Sequence, residues 1–291
     1  MDAGDLLSKV RKIEIKTRGL SQNIFAGMYH TAFKGRGVMF SEVREYLPGD
    51  DVRDIDWNVT ARQNRPFVKI YEEDRELTMM LLIDVSKSER FGSISSTKRD
   101  IMAEIAGTLA FSSIANNDKV GVIFFSDRIE KFIPPKKGKS HILLIIREIL
   151  NLQPKGNKTD INHAIQFLNQ AIKKRCSAFL LSDFIDDSDY YTSMSVANRK
   201  HELAALQVYD ERDTSLPNVG LMRLEDLESG KSIWVDTSSR RVRTAYEKEW
   251  YALKQKISMI TSRCGVEYLS MRTDKDYVKI LLEMFRRRAL K

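Results

Sequence analysis

Four near-continuous apolar runs constrain this chain more than any other feature: Leu77 to Ile83, Val120 to Phe125, Ser177 to Leu181 and Leu203 to Tyr209. Each has the length of a strand and is far too short to cross a membrane as a helix. A strand with one face in water alternates apolar and polar residues. A run that is apolar throughout belongs to a strand covered on both faces, so helices must pack above and below the sheet. The segments between the runs carry helical signals. Ile101, Ile105, Leu109 and Ile114 fall along one face of a helix over 97–115, and Asn116-Asn117-Asp118 forms the turn after it. Ser140 caps a helix through Leu150, and Asp160 caps another through about Lys174. A short strand ends at Pro134-Pro135, a long helix spans about 243–263, Val266 to Ser270 is a last strand, and 275–287 a last helix. Strands alternating with helices predict an α/β fold, a Rossmann-like, mainly parallel sheet with helices on both faces.

The ends of the chain's first quarter read differently. Residues from about 5 to 30 are helical, with Leu6, Leu7, Val10, Ile13 and Ile15 set among Lys and Arg. Over 35–78, Gly35, Gly37, Pro48-Gly49 and Asn64-Arg65-Pro66 punctuate short β-favouring runs. Ile233-Trp234-Val235 beyond Ser229-Gly230 is a hairpin signal. Neither β-rich segment is long enough for its own core. The expected organisation is therefore an N-terminal helix and small β-rich subdomain over 1–76, a main domain over 77–291, and an excursion at 213–240 that pairs with the N-terminal subdomain.

With 291 residues and 42% hydrophobic content, the chain can bury one large core. The acidic start Met1-Asp2-Ala3-Gly4-Asp5 lacks the pattern of a signal peptide, and Cys176 and Cys264 make no disulfide framework. A reducing cytoplasm is the expected location. The net charge of +8 raises nucleic-acid binding. However, the basic clusters Lys136-Lys137-Gly138-Lys139, Arg240-Arg241-Val242-Arg243 and Arg286-Arg287-Arg288 have no interleaved aromatics. They read as solvated helix ends and loops, and an acidic protein partner would be served equally well by such charge.

In parallel sheets, ligands sit beyond the carboxyl ends of the strands. Three such places carry oxygen donors here: Asp84-Val85-Ser86-Lys87-Ser88, then Asn157-Lys158-Thr159-Asp160, then Ser182-Asp183-Phe184. Two carboxylates and several hydroxyls, with no His or Cys, suit a hard cation such as magnesium. If the first segment stays extended, alternation points Asp84, Ser86 and Ser88 to one side. Asp183 is expected as an exposed strand-end carboxylate whose removal leaves the fold intact. Other motifs fail. Gly156-Asn157-Lys158-Thr159 is only the tail of a phosphate loop, and Gly35-Arg36-Gly37 lacks the third glycine of a dinucleotide fingerprint. Asp84-Val85-Ser86 is not the paired-aspartate start of an aspartyl-phosphate phosphatase. Of four scattered histidines only His163 follows the site closely, and it reads as a packing residue.

Asp-x-Ser-x-Ser, a later Thr and a later Asp resemble the metal-ion-dependent adhesion site of von Willebrand factor A domains. The resemblance assigns Ser86, Ser88 and Thr159 as ligands, with Asp84 and Asp183 acting directly or through water. In one departure, Ser88 is followed by Glu89-Arg90 where that family usually has a small or apolar residue. These charges are placed to crowd or fill the open coordination position. A narrower likeness lies outside the site. Phe40-Ser41-Glu42-Val43-Arg44-Glu45-Tyr46-Leu47-Pro48-Gly49-Asp50-Asp51-Val52-Arg53-Asp54-Ile55-Asp56-Trp57, with Thr60-Ala61-Arg62, resembles the hallmark of the domain-of-unknown-function 58 family. So do Asn116 to Gly121, Pro134 to Gly138 and Leu181-Ser182-Asp183-Phe184. The alternating charges of the hallmark suit internal ion pairing, and Trp57 is expected in a core.

The resemblance implies a von Willebrand factor A-like fold and a non-enzymatic, metal-dependent protein-interaction module using Mg2+, or Mn2+ or Ca2+. It also implies a partner class, a MoxR-type AAA+ ATPase or a client protein offering a Glu or Asp. The competing functions are a magnesium-dependent phosphate-ester hydrolase, for which no convincing base is present, and a nucleic-acid binder, motivated only by charge.

Overall fold

The computed structural model describes residues 3–20, 38–73, 77–92, 96–225 and 232–289. Its centre is a six-stranded sheet made of β3 (Thr78–Asp84), β4 (Lys119–Phe125), β5 (Ile129–Lys136), β6 (Ser177–Ser182), β7 (Glu202–Tyr209) and β10 (Glu267–Arg272). The spatial order is β10-β7-β6-β3-β4-β5, with every pairing parallel except the antiparallel edge β4–β5. This is the α/β, doubly wound architecture with a mainly parallel sheet expected from the sequence. Chain order runs outward one way through β4 and β5, then returns to the centre and runs the other way through β6, β7 and β10. The switch point therefore lies between β3 and β6, where Ile83 pairs with Leu181. The crevice beyond those two carboxyl ends is where such a sheet offers a ligand site.

Alternation along β3 shows why its run is apolar throughout. Met79, Leu81 and Ile83 enter one core, with α1 (Ala3–Leu20), α3 (Lys98–Ala115), α4 (Lys139–Asn151) and α9 (Tyr277–Ala289). Met80 and Leu82 enter the other, with α5 (Ile161–Ala171), α6 (Tyr191–Lys200) and α8 (Arg240–Cys264). Fully burying side chains of this size contributes about 1.5–3 kcal/mol each, so a polar residue anywhere in the run would be costly. No described helix is long and apolar enough to cross a membrane.

Several boundaries moved for local reasons. Pro134 and Pro135 lie inside β5, which has a partner on one side only and so tolerates the lost donors. The first helical residue of α4 is Lys139, with Gly138 at the cap in a positive-φ conformation (φ 101°), so Ser140 is not the cap. Asp160 does cap α5, accepting from the His163 N–H. Ile114, near the end of α3, is partly exposed. Among the described residues three helices went unforeseen: α6, the short α7 (Glu211–Thr214) and one over Trp57–Gln63.

The two β-rich segments differ from expectation. β1 (Val38–Glu45) pairs with β2 (Phe67–Glu73), and β8 (Leu221–Glu225) pairs with β9 (Ser232–Asp236). Each pair is a sheet of its own, so the expected strand pairing between 30–76 and 213–240 does not occur among the described residues. The N-terminal helix does not group with β1 and β2 either. Leu6 and Ile13 are buried in the main core, and Lys9 pairs with Asp100 of α3 at 3.0 Å. The expected helix over 21–30, Gly35, Gly37 and Ser229-Gly230 lie outside the described residues.

The hallmark pairs its charges internally. Arg44 makes a two-pronged contact with Asp50 at 2.7 and 2.8 Å, and Arg53 binds Asp51 at 2.7 Å. Asp56 caps α2 (Trp57–Gln63), accepting from the Asn58 and Val59 N–H groups. Trp57 is not in a core; it is 67% exposed. The two-turn α2 lies beside a two-stranded sheet, and among the described residues no second layer covers Trp57.

Candidate metal centre

β3 delivers Asp84 to the switch point, where its carboxylate gathers three chain segments. Oδ1 accepts from the Ser86 N–H at 2.9 Å, while Oδ2 accepts from the Ser182 hydroxyl at 2.7 Å and the Thr159 hydroxyl at 3.2 Å. The chain does not stay extended after Asp84. It turns at Ser86 into a single 3-10 turn over Lys87–Arg90. That turn, rather than strand alternation, brings the Ser86 and Ser88 hydroxyls within 3.1 Å of each other.

The turn also carries Glu89 inward. Its side chain is fully buried, and Oε1 accepts from the Asp183 N–H at 3.1 Å. Oε2 is buried with no hydrogen-bond partner among the described residues. Carboxylate oxygens of Asp84, Glu89 and Asp183 lie within 4.8 Å of one another. Asp183 is also fully buried, which corrects the expectation of an exposed strand-end group. Phe184 beside it adopts a left-handed conformation (φ 62°), unusual for a bulky residue. The Asp183 carbonyl accepts from Gln207 Nε2 at 3.0 Å.

The loop bearing Thr159 is tied down independently. Asp160 N–H donates to the Ser126 carbonyl at 2.9 Å. Glu130 Oε1 accepts from the Ser126 hydroxyl at 2.6 Å, the Lys155 N–H at 3.0 Å and the Gly156 N–H at 2.7 Å. A Cβ on Gly156 would collide with the side chains of Asp127 and Ser126, so a larger residue would make them shift. His163 is exposed on α5, not packed in the core.

One cation belongs to the chain itself. Lys98, the first residue of α3, is 1% exposed, with Nζ 2.7 Å from Asp183 and 3.3 Å from Asp213. A positive charge at a helix N-terminus opposes the helix dipole, and here the two carboxylates offset that. Burial works against the Lys98 charge, yet Asp183, Glu89 and Asp213 outweigh it and hold the ammonium well above its ordinary range. The carboxylates show the opposite strain. Burial, then Asp183, pushes Asp84 up to about 6. Burial and Asp183 push Glu89 well above the usual carboxylate range, and burial raises Asp213.

A divalent cation fits these residues. Among the described residues Lys98 is shared between these three converging buried carboxylates and Asp213, and Glu89 Oε2 has no hydrogen-bond partner. The donors are all hard oxygen, from carboxylates and hydroxyls, which suits Mg2+, Mn2+ or Ca2+. Asp84, Ser86, Ser88, Thr159 and Asp183, proposed from sequence, all meet at this crevice, and Glu89 joins them. Arg90's side chain lies outside the described residues. Sequence reasoning missed Lys98, although a lysine opening an apolar helix against its dipole was a signal.

The family model described as "Protein of unknown function DUF58" matches residues 42–256. The uncharacterized protein Rv1480 of Mycobacterium tuberculosis is 29% identical over 282 residues, covering 96% of this chain and 88% of that one. Among solved structures, the conserved hypothetical protein BatB from Bacteroides thetaiotaomicron aligns at TM-score 0.49 and 13% identity, over 74% of this chain and 100% of that one. The SpRpn10 VWA domain aligns at TM-score 0.39 and 8% identity, over 72% of this chain and 95% of that one.

Proposed function

We propose that this chain, which belongs to the DUF58 family, is a protein-interaction module that engages partners through a divalent cation held at the Asp84–Glu89–Asp183 cluster. The observation that carries this is the buried carboxylate triad at the sheet's switch point, in which Glu89 Oε2 has no hydrogen-bond partner among the described residues. Asp84, Asp183, Ser86, Ser88 and Thr159 would hold the ion, with Mg2+ or Mn2+ suiting the donors best. When bound, such an ion supplies positive charge in a partly dry crevice, to which a partner's Glu or Asp is drawn.

We take the role to be binding rather than catalysis. Lys98, the basic group facing the cluster, is held charged by its carboxylates and is a poor proton acceptor. The family resemblance suggests a MoxR-type AAA+ ATPase or its client as the partner, in the cytoplasm.

Calorimetric titration of Mn2+ into wild type and Ser86→Ala tests the first step. Loss of one ligand is expected to weaken binding about tenfold or more. Titrating a MoxR-type ATPase with and without chelator tests the second. Equal ATPase affinity in both conditions would show that binding uses another face, such as the charged 42–62 stretch.

A further inference from the structure

Resting on the metal reading above, we propose that Glu89 is an internal stand-in for the partner's acidic residue. Its carboxylate takes the coordination position that a partner's Glu or Asp would occupy, and it keeps the site closed until displaced.

Three observations lead there. First, a glutamate on a one-turn surface segment would ordinarily face water, as its neighbour Lys87 does, yet Glu89 is fully buried. Second, among the described residues only one of its oxygens is hydrogen-bonded, by the Asp183 N–H at 3.1 Å, and the other is buried without a hydrogen-bond partner. Leaving such an atom unsatisfied is unfavourable, so the inward conformation is favoured where a cation binds that oxygen, and a carboxylate oxygen lies within 4.8 Å of those of Asp84 and Asp183. Third, the three carboxylates are not held alike. Asp84 ends a strand paired on both sides, and Asp183 directly follows one. Glu89 rides on a turn closed by two backbone bonds, Glu89 N–H to Ser86 at 3.3 Å and Phe91 N–H to Ser88 at 3.1 Å. It alone can leave without breaking the sheet.

A tethered carboxylate competes at high effective concentration. Free acids therefore bind such a site poorly. A partner opens it only by adding contacts elsewhere, so the device converts a general affinity for carboxylates into selectivity for a full interface.

The test uses the full chain, with Mn2+ as the ion and acetate as the probe acid. Water-proton relaxation counts exchangeable waters on bound Mn2+. Glu89→Gln, which preserves shape, and Glu89→Ala are both compared with wild type, so that a folding defect in one leaves the other. The expected result is a gain of about one ion-bound water in the variants, and acetate that lowers relaxivity in the variants but not in wild type. Bound Mn2+ with the same hydration and the same acetate response in all three proteins would overturn the stand-in role and leave the metal site standing. No Mn2+ bound by wild type would overturn both.

Discussion

Asp183→Ala is expected to destabilise the metal-free protein by about 3–5 kcal/mol, toward the lower end of that range. The substitution strips the nearer ion-pair partner from a buried ammonium, leaving Lys98 with Asp213 at 3.3 Å and the more distant charge of Glu89. It also removes a buried acceptor for the Ile185 N–H, at 3.0 Å. Chemical denaturation would show the loss as a lower midpoint at unchanged slope. Adding Lys98→Met should recover a large part of it, because the uncompensated charge goes as well. A double-mutant cycle then gives the coupling. If Asp183→Ala matched wild type in stability, Lys98 would not depend on this carboxylate and the charge balance described for the centre would be wrong.

Asp84→Asn is expected to act in the opposite direction, raising the stability of the metal-free protein at pH 7.5 while abolishing stabilisation by Mn2+. The sign follows from the folded-state shift. Asp84 titrates at about 6 instead of 3.8, because of burial and then Asp183. A carboxyl raised on folding contributes stability below its unfolded value and loses it as pH rises through the folded value. At pH 7.5 the ionised group thus costs about 3 kcal/mol, which the neutral amide avoids. Wild type alone would hide this. Burial holds His201 down to about 4, and that group gains stability as pH rises toward 6.5, cancelling much of the Asp84 effect between pH 4 and 6. The difference between wild type and Asp84→Asn, melted with chelator at pH 5 and 7.5, removes the His201 contribution. A difference that did not grow with pH would mean Asp84 is not strained in the metal-free protein.

The two predictions pull apart because the same cluster holds both signs. Removing Asp183, which touches Lys98, relieves Asp84 and Glu89 of a like charge but orphans a cation, and the second effect dominates. Removing Asp84, which does not, relieves a like-charge crowd. Both are pairwise facts of the folded chain, and Asp84 and Asp183 look alike in the sequence.

The sheet was legible in the amino acids because burial on two faces forces a continuous apolar run, and four such runs with helical patterns between them leave few alternatives. The convergence of Asp84, Ser86, Ser88, Thr159 and Asp183 was legible for a related reason. A doubly wound sheet presents its ligands at strand carboxyl ends, and strand ends can be read from where the apolar runs stop. Local polarity also marked the hallmark as an ion-pair network, since alternating signs pair within reach. Tertiary structure decided the rest. Whether Trp57 is covered depends on a second layer, which no local pattern encodes. Whether the two β-rich segments pair depends on where their flanking chain emerges. The inward turn of Glu89 and the burial of Lys98 rest on partners more than eighty residues away, the Asp183 N–H for Glu89 and the Asp183 and Asp213 carboxylates for Lys98, because the partners of a buried polar group are chosen by the fold and not by neighbours in the chain.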